Sequence, residues 1–134
     1  MAVAPVDKVR RVVEYALTRI PAAKIDLGIP NYGYDWPLPY VSGITRATSI
    51  GNITARERAA ENGAVIQFDE TAKSPWYTYE KDGVSHEVWF EDVRSYQAKF
   101  ALVNEYALRG IGFWQLMREN LPGFLLMSGT FWIR

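Results

Sequence analysis

The chain has 134 residues, of which 49% are hydrophobic, and its 15 basic and 15 acidic residues balance. This length is enough for one domain with a hydrophobic core. Without net charge or a long apolar run, the composition favours neither a nucleic-acid partner nor a membrane partner. The chain has no cysteine and a single histidine, His86, so we expect no metal site and no cofactor.

The N-terminal part of the sequence predicts a helix followed by a strand. Between Val6 and Ile20 apolar residues recur at helical spacing, and Asp7 stands where an acid can cap or favour the first turn. Pro21 ends this pattern. Residues 25–30 then alternate apolar and polar side chains, which is typical of a short strand.

The next stretch, Asn31–Tyr40, is unusually rich in flat side chains that can form hydrogen bonds. It contains three tyrosines, one tryptophan, one aspartate and two prolines. A simple turn after a strand does not require such a density of aromatic groups. We therefore predict that a ligand lies on this stretch.

The middle of the chain predicts a small mixed α and β segment. Residues 42–52 are rich in Gly, Ser and Thr and are expected to form a loop, while Thr54 and Glu57 have the spacing of a capping box. A short helix over 55–62 should follow, ended by Gly63, and then a strand at "AVIQF". Residues 75–90 should form a hairpin that turns at Asp82-Gly83.

The C-terminal part predicts the longest helix and a second buried strand. Residues 91–108 place apolar side chains mostly on one helical side, and Gly110 follows them. "GIGFWQL" is typical of a parallel strand that is buried on both faces. The ending, "NLPGFLLMSGTFWIR", should form a short helix and a docking tail. The expected fold class is therefore α/β.

Two runs of the sequence carry a resemblance to a known family. They are "LGIPNYGYDWPLPY" and "IQFDETAKSPWYTYEKDGVSHEVWFEDVRSYQAKFALVNEYALRGIGFWQL". The chain resembles, from about Val6 to Arg134, the C-terminal part of a glycoside hydrolase family 18 catalytic domain. Within that family it is most similar to the bacterial cell-wall and spore-cortex branch.

The resemblance implies a C-terminal fragment of a (β/α)8 barrel with a small α+β insertion. Residues 6–30 and 91–134 would then supply about two barrel strands and their helices, and residues 31–90 would be the insertion, including the hairpin. The whole chain is expected to fold as one unit, 1–134. In such barrels the substrate lies at the carboxyl ends of the strands, which is where residues 31–40 begin.

The resemblance also implies a set of sugar-binding residues. Aromatic faces stack on pyranose rings, while Asn, Asp and Tyr groups bond hydroxyls and acetamides. Trp114 matches the tryptophan that floors the subsite of the reacting sugar. Trp36 either stacks on sugar or seals the insertion against the barrel. The expected substrate-binding residues are Tyr32, Tyr34, Asp35, Trp36 and Trp114.

The family's catalytic signature is missing from the sequence. Neither Asp-x-x-Asp-x-Asp-x-Glu nor Met-x-Tyr-Asp occurs. The family mechanism, in which the substrate acetamide attacks while a glutamic acid protonates the leaving oxygen, would then lack its acid. We expect a fragment, about the last third of a catalytic domain, with no catalytic residue and no activity alone.

Other polar and aromatic residues have structural alternatives. Asp69-Glu70 could bind sugar or end a strand, and Glu91-Asp92 could act as acids or complement the dipole of the following helix. His86 is expected to form hydrogen bonds at a surface or sheet edge rather than to act in catalysis. Core or interface packing is expected for Trp76, Trp89 and Trp132.

Three functions remain open from the sequence. The leading one is a share in a glycosidase of β-1,4-linked N-acetylglucosamine glycans, either peptidoglycan or chitin. The alternatives are a non-catalytic carbohydrate-binding module and a fragment that only folds and self-associates. Unpaired strand edges predict a homo-oligomer. A targeting segment would lie upstream of Met1, so the compartment is open; the parent protein is expected to be bacterial and extracellular, cell-wall or spore-associated.

Overall fold

The computed structural model describes residues 1–132 of the chain. The last two residues of the predicted docking tail lie outside this range. Within it, no helix is long and apolar enough to cross a bilayer. In chain order the elements are α1 (Val6–Leu17), β1 (Asp26–Pro30), β2 (Gly33–Pro37), β3 (Thr48–Ile50), α2 (Asn52–Glu61), β4 (Gln67–Asp69), β5 (Ser74–Lys81), β6 (Val84–Trp89), α3 (Val93–Glu105), β7 (Gly110–Trp114) and α4 (Leu121–Thr130).

The two ends of the chain meet in a parallel pair of strands. β1 and β7 align from Asp26 opposite Gly110 to Pro30 opposite Trp114, which confirms the predicted parallel pairing. Leu27 and Ile29 point to a helical layer and are buried. The buried core on that side comprises Val13, Leu27, Ile29, Tyr96, Phe100, Leu102, Val103 and Leu108.

The opposite face of this two-stranded sheet is open. A Cβ atom added at Gly28 or Gly112 would meet no atom within 4 Å, and the side chain of Trp114 is 70% exposed. The prediction that residues 110–116 form a strand buried on both faces is therefore wrong for this chain. The reason is that helices cover only the Ile29 side of the pair.

The middle of the chain forms an antiparallel sheet in the order β3-β2-β6-β5-β4. The predicted hairpin is confirmed as β5 and β6, joined through Asp82 and Gly83, which have φ of 52° and 76°. Two positive φ values in succession define the primed turn that matches the twist of antiparallel strands. α2 covers one face of the sheet, where Tyr77, Val88 and Phe90 are buried.

Two strands of this sheet were missed by the sequence analysis. Gly33–Pro37 forms β2 within the stretch for which no strand was predicted, and Thr48–Ile50 forms β3 inside the predicted loop. β2 pairs with β6, about fifty residues further along the chain. A short segment rich in Gly and Pro takes its strand geometry from such a distant partner, because its own sequence favours turns.

The boundaries of α1 and α2 differ from the predicted ones. α1 ends at Leu17, three residues before Ile20, and the side chain of Asp7 does not cap it. α2 begins at Asn52, where Gly51 is the N-cap without a side-chain cap. The capping box predicted at Thr54 and Glu57 is therefore wrong, since both residues lie inside the helix.

α3 and α4 begin with side-chain caps. Asp92 Oδ1 accepts a hydrogen bond from the backbone N–H of Ser95 at 2.9 Å, and Ser95 Oγ accepts one from the Asp92 N–H at 2.8 Å. With 13 residues, α3 is the longest helix among those described, as predicted. After α4, the Phe131 ring packs on Phe100 with centroids 5.2 Å apart. Trp132, expected to pack, is instead 96% exposed.

Candidate functional site

The carboxyl ends of β1 and β7 bring Asn31 and Trp114 together. Because the strands are parallel, their ends lie at the same edge of the sheet. The backbone N–H of Asn31 donates to the carbonyl oxygen of Trp114 at 2.5 Å. Trp114 continues the open face of the sheet and exposes most of its indole. This edge therefore presents a large aromatic surface to solvent.

A row of four aromatic rings begins directly beyond this edge. We call Tyr32, Tyr34, Trp36 and Tyr40 the aromatic ladder. Successive rings meet edge to face, with centroids 5.6, 5.6 and 5.7 Å apart. The strand period of two places Tyr34 and Trp36 on one face of β2. Partial burial and the neighbouring Tyr34 hydroxyl raise the pKa of Tyr32, so Tyr32 is a neutral hydrogen-bonding group near neutral pH.

The ladder includes one residue that the expected site did not. Tyr40 completes it and is 48% exposed. The signal was present in the aromatic density of the 31–40 stretch, but the cis Leu38–Pro39 peptide and the bend before Tyr40 were not readable from it. Trp36 is also engaged by the N-terminus, since its Nε1 donates to the carbonyl oxygen of Met1 at 2.9 Å.

Asp35 faces away from the ladder, into the layer between the sheet and α2. It is 4% exposed, and its carboxylate oxygens lie 2.5 Å from Arg58 Nη1, 2.6 Å from the Tyr79 hydroxyl and 2.7 Å from His86 Nδ1. Burial and the hydrogen bond to Asp35 raise the pKa of Tyr79 to about 12. Asp35 therefore binds other side chains of the protein, and its position differs from that of the other expected site residues.

His86 does not lie at a surface or a sheet edge as expected. β6 runs between β2 and β5, and the imidazole of His86 contacts Asp35 and lies 4.9 Å from the Tyr79 ring. The prediction was wrong because β2, the strand that pairs with β6 on one side, was not recognised. His86 belongs to the Asp35 group of polar side chains.

The candidate acids each have a structural partner. Asp69 Oδ1 accepts hydrogen bonds from the backbone N–H groups of Thr71 and Ala72, a turn that short polar side chains commonly stabilise. Glu70 is paired with Lys73. Asp92 caps α3, and the carboxylate of Glu91 lies 2.8 Å from the Lys99 ammonium in the core. Among residues 1–132, no three His, Asp or Glu side chains are grouped as metal ligands would be.

Trp76 and Trp89 form a separate stacked pair. Their ring centroids are 5.7 Å apart with planes at 18°, and both side chains are half-buried. Trp89 stands opposite Tyr34 in the sheet. The pair lies on the same face of the sheet as the aromatic ladder. The two tryptophans, for which core or interface packing was expected, pack on each other rather than in a closed core.

A buried cluster of amides behind Trp114 was missed by the sequence analysis. Asn31, Asn52 and Asn120 are 0%, 5% and 6% exposed, and they meet at the hydroxyl of Tyr96. An asparagine directly after a buried strand was the available signal for Asn31. Asn120 precedes Leu-Pro-Gly at the start of a helix, a position where an N-cap was readable.

These elements match a family of known proteins. The family model that describes the sequences of "Glycosyl hydrolases family 18" matches residues 5–119, which is most of the chain. The chain belongs to glycosyl hydrolase family 18. The resemblance seen in the sequence is thereby confirmed, and this family 18 chain carries the ladder and Trp114 within the matched residues.

Relatives of this family 18 chain include proteins of bacterial spores. It is 48% identical to the cortical fragment-lytic enzyme of Bacillus subtilis. The match covers 97% of this chain and 30% of that enzyme. The spore cortex-lytic enzyme SleL of Bacillus megaterium has a similar structure, with a TM-score of 0.95 and 44% sequence identity. This match covers the whole of this chain and 32% of SleL. A chitinase from Chromobacterium violaceum matches 91% of the chain and 37% of its own length, with a TM-score of 0.79 and 32% identity. The chain thus spans about a third of the length of these relatives.

Proposed function

We propose that this chain is the C-terminal part of a glycosidase that acts on β-1,4-linked N-acetylglucosamine glycans. In this proposal it supplies one wall of the sugar cleft and the aromatic side chains of the subsites, and another part of the protein supplies the catalytic acid. Relatives named as cortex-lytic enzymes and as a chitinase support this glycan class.

The observation that carries the proposal is the exposed indole of Trp114 at the end of β7. The side chain is 70% exposed, although burying a ring of this size would stabilise the fold. An exposed tryptophan at the carboxyl end of a parallel strand, beside the ladder, is suited to stack on a pyranose ring. Tyr32, Tyr34 and Trp36 would contact the neighbouring sugars.

The open face of β1 and β7 supports a barrel origin for the two ends of the chain. In a (β/α)8 barrel one face of each strand packs on helices and the other faces the barrel interior. Leu27 and Ile29 meet helices, while Gly28 and Gly112 border open space. We propose that residues 6–30 and 91–134 belong to the barrel, and that residues 31–90 are an insertion that walls the cleft.

Asp35 has a supporting role in this proposal. Its carboxylate ties β2 to Arg58 of α2 and to Tyr79 and His86 of the hairpin. Charge-assisted hydrogen bonds of this kind hold a strand more firmly than neutral ones. Asp35 would therefore keep β2 in place, so that the ladder on the opposite face keeps its spacing.

The first test is a titration with N-acetylglucosamine oligomers, following tryptophan fluorescence and released sugar together. We expect a fluorescence change without product. Trp114→Phe should remove most of that change. Trp132→Phe is the matched control, because Trp132 is also largely exposed, at 96%, but lies near Asp26 and Arg109, at the other end of the sheet.

The outcomes separate the proposal from its alternatives. Released sugar would contradict the missing acid and direct attention to Glu91 and Asp69. A fluorescence change that survives Trp114→Phe would locate binding elsewhere. A non-catalytic binding module predicts the same binding by this chain, but it predicts no activity when the chain is joined to the rest of a family 18 domain.

A further inference from the structure

The side-chain amide of Asn31 holds the backbone that carries Trp114. Asn31 is fully buried. Its Nδ2 donates to the carbonyl oxygens of Gln115 and Arg118, each at 2.9 Å, and its backbone N–H donates to the carbonyl of Trp114. One residue therefore binds three carbonyl groups in the five residues 114–118.

The amide of Asn31 is fixed in this orientation by donors on its other side. Its Oδ1 accepts from Asn120 Nδ2 at 2.7 Å and lies 3.3 and 3.4 Å from the Tyr96 hydroxyl and Asn52 Nδ2. Because these groups offer hydrogens, the oxygen faces them and the NH₂ group faces the carbonyls. Among residues 1–132, every buried side-chain nitrogen or oxygen has a partner, so the cluster is satisfied.

The indole of Trp114 depends on its backbone for its position. It is exposed, and within the described part of the chain it takes part in none of the aromatic pairs. A side chain with little packing is held only as firmly as the residues on either side of it. Asn31 binds the carbonyl of Trp114 itself and the carbonyls of Gln115 and Arg118, which follow it in the chain.

We propose that Asn31 is the positioning residue of Trp114. It holds residues 114–118 so that the indole is already placed before a sugar arrives, which lowers the ordering cost of binding. Asn31 itself is buried and contacts no sugar. The sugar part of this inference rests on the proposed function, whereas the positioning of the indole does not.

The test compares Asn31→Asp with the wild-type chain. Aspartate keeps the shape of the side chain but replaces two donors with an acceptor that faces two carbonyl oxygens. The chain would be labelled with 5-fluorotryptophan, and the Trp114 signal assigned by Trp114→Phe. We expect Asn31→Asp to shift or broaden the Trp114 fluorine signal and leave those of Trp76 and Trp89 unchanged.

The same variant is then titrated with N-acetylglucosamine oligomers. We expect the Kd to rise about tenfold, equal to ~1.4 kcal/mol. The matched control is Asn104→Asp, an exposed asparagine of α3, which should change neither the Trp114 signal nor the Kd. A Trp114 signal unchanged by Asn31→Asp would overturn the inference.

The two proposals fail in different ways. If the wild-type chain binds no oligomer while Asn31→Asp still moves the Trp114 signal, the proposed function is refuted and the positioning role stands. If the wild type binds and Asn31→Asp binds equally with an unmoved signal, the positioning role is refuted and the function stands.

Global unfolding of the variant is recognisable, because the Trp76 and Trp89 signals would then collapse together with that of Trp114. In that case Asn31→Ser, which is smaller and adds no charge, replaces it with the same expected results. A measurement on the wild type is independent of any variant. The two amide hydrogens of Asn31 should exchange slowly with solvent, and rapid exchange would contradict the inference.

Discussion

Glu91 and Lys99 form an ion pair inside the core beside α3. Their charged atoms lie 2.8 Å apart, and each side chain is 1% exposed. Burial raises the pKa of Glu91, and the Lys99 ammonium opposes that rise. A pair of this kind adds little net stability, but either charge left alone in the core is costly.

We predict that Lys99→Met lowers the free energy of unfolding by about 3–5 kcal/mol. Without the ammonium, the pKa of Glu91 rises further above its unfolded value. A carboxyl with a raised folded pKa favours the folded state at low pH, and this contribution is lost as the pH rises through the folded pKa. Urea denaturation should therefore find the variant more stable near about pH 5 than near about pH 8.

The double variant Glu91→Gln with Lys99→Met is the control. It leaves no buried charge, so it should recover most of the lost stability and lose the added pH dependence. A loss under about 1 kcal/mol for Lys99→Met alone would show that the pair is solvated, contrary to its burial.

At the residue scale, the sequence predicted which aromatic residues come together, but it did not predict which way each side chain points. Tyr32, Tyr34 and Trp36 do form one row of half-buried rings, but Asp35 between them points the other way. Alternation along β2 explains this difference, and it was not applied because β2 was not recognised as a strand. The position of Asn31 after a buried strand was its one signal in the sequence, and its role was not readable because that role comes from residues 52, 96 and 120, far along the chain.

At the element scale, local signals were reliable where the structure itself is local. The Asp82-Gly83 hairpin and the presence of α3 as the longest described helix followed from turn chemistry and apolar period, although α3 is shorter than the predicted 91–108. β2 takes its strand geometry from β6, far along the chain, and β3 pairs in turn with β2, so no local pattern revealed them. α2 begins three residues early because packing of Ala55 and Ala59 on the sheet outweighs the capping preference of Thr54.

At the scale of the whole molecule, the face of β1 and β7 that bears Gly28 and Gly112 has no cover within the described residues. Several large apolar side chains nearby in sequence are also exposed, with Leu116 at 71% and Met117 at 89%. Short strands with unpaired edges and exposed apolar groups favour association. The isolated chain is therefore expected to form a dimer or a larger oligomer.

We predict that Gly112→Lys shifts the isolated chain toward the monomer in sedimentation velocity. No atom lies within 4 Å of a Cβ at Gly112, so the fold should accept the side chain, while the added charge opposes contact between two open faces. Gly129→Lys in α4, where a Cβ also meets no atom within 4 Å, is the matched control and should leave the oligomer intact. A monomeric wild-type chain would refute the association.

The central claim is that this chain is a working C-terminal part of a family 18 glycosidase. The most direct measurement joins it to the N-terminal two-thirds of the Bacillus subtilis cortical fragment-lytic enzyme, in place of that enzyme's own matched segment, with which it is 48% identical. The account predicts that the hybrid releases sugar from cortical fragments, and that Trp114→Phe lowers this activity far more than Trp132→Phe does. A soluble, folded hybrid without activity, or one indifferent to Trp114→Phe, would contradict the account.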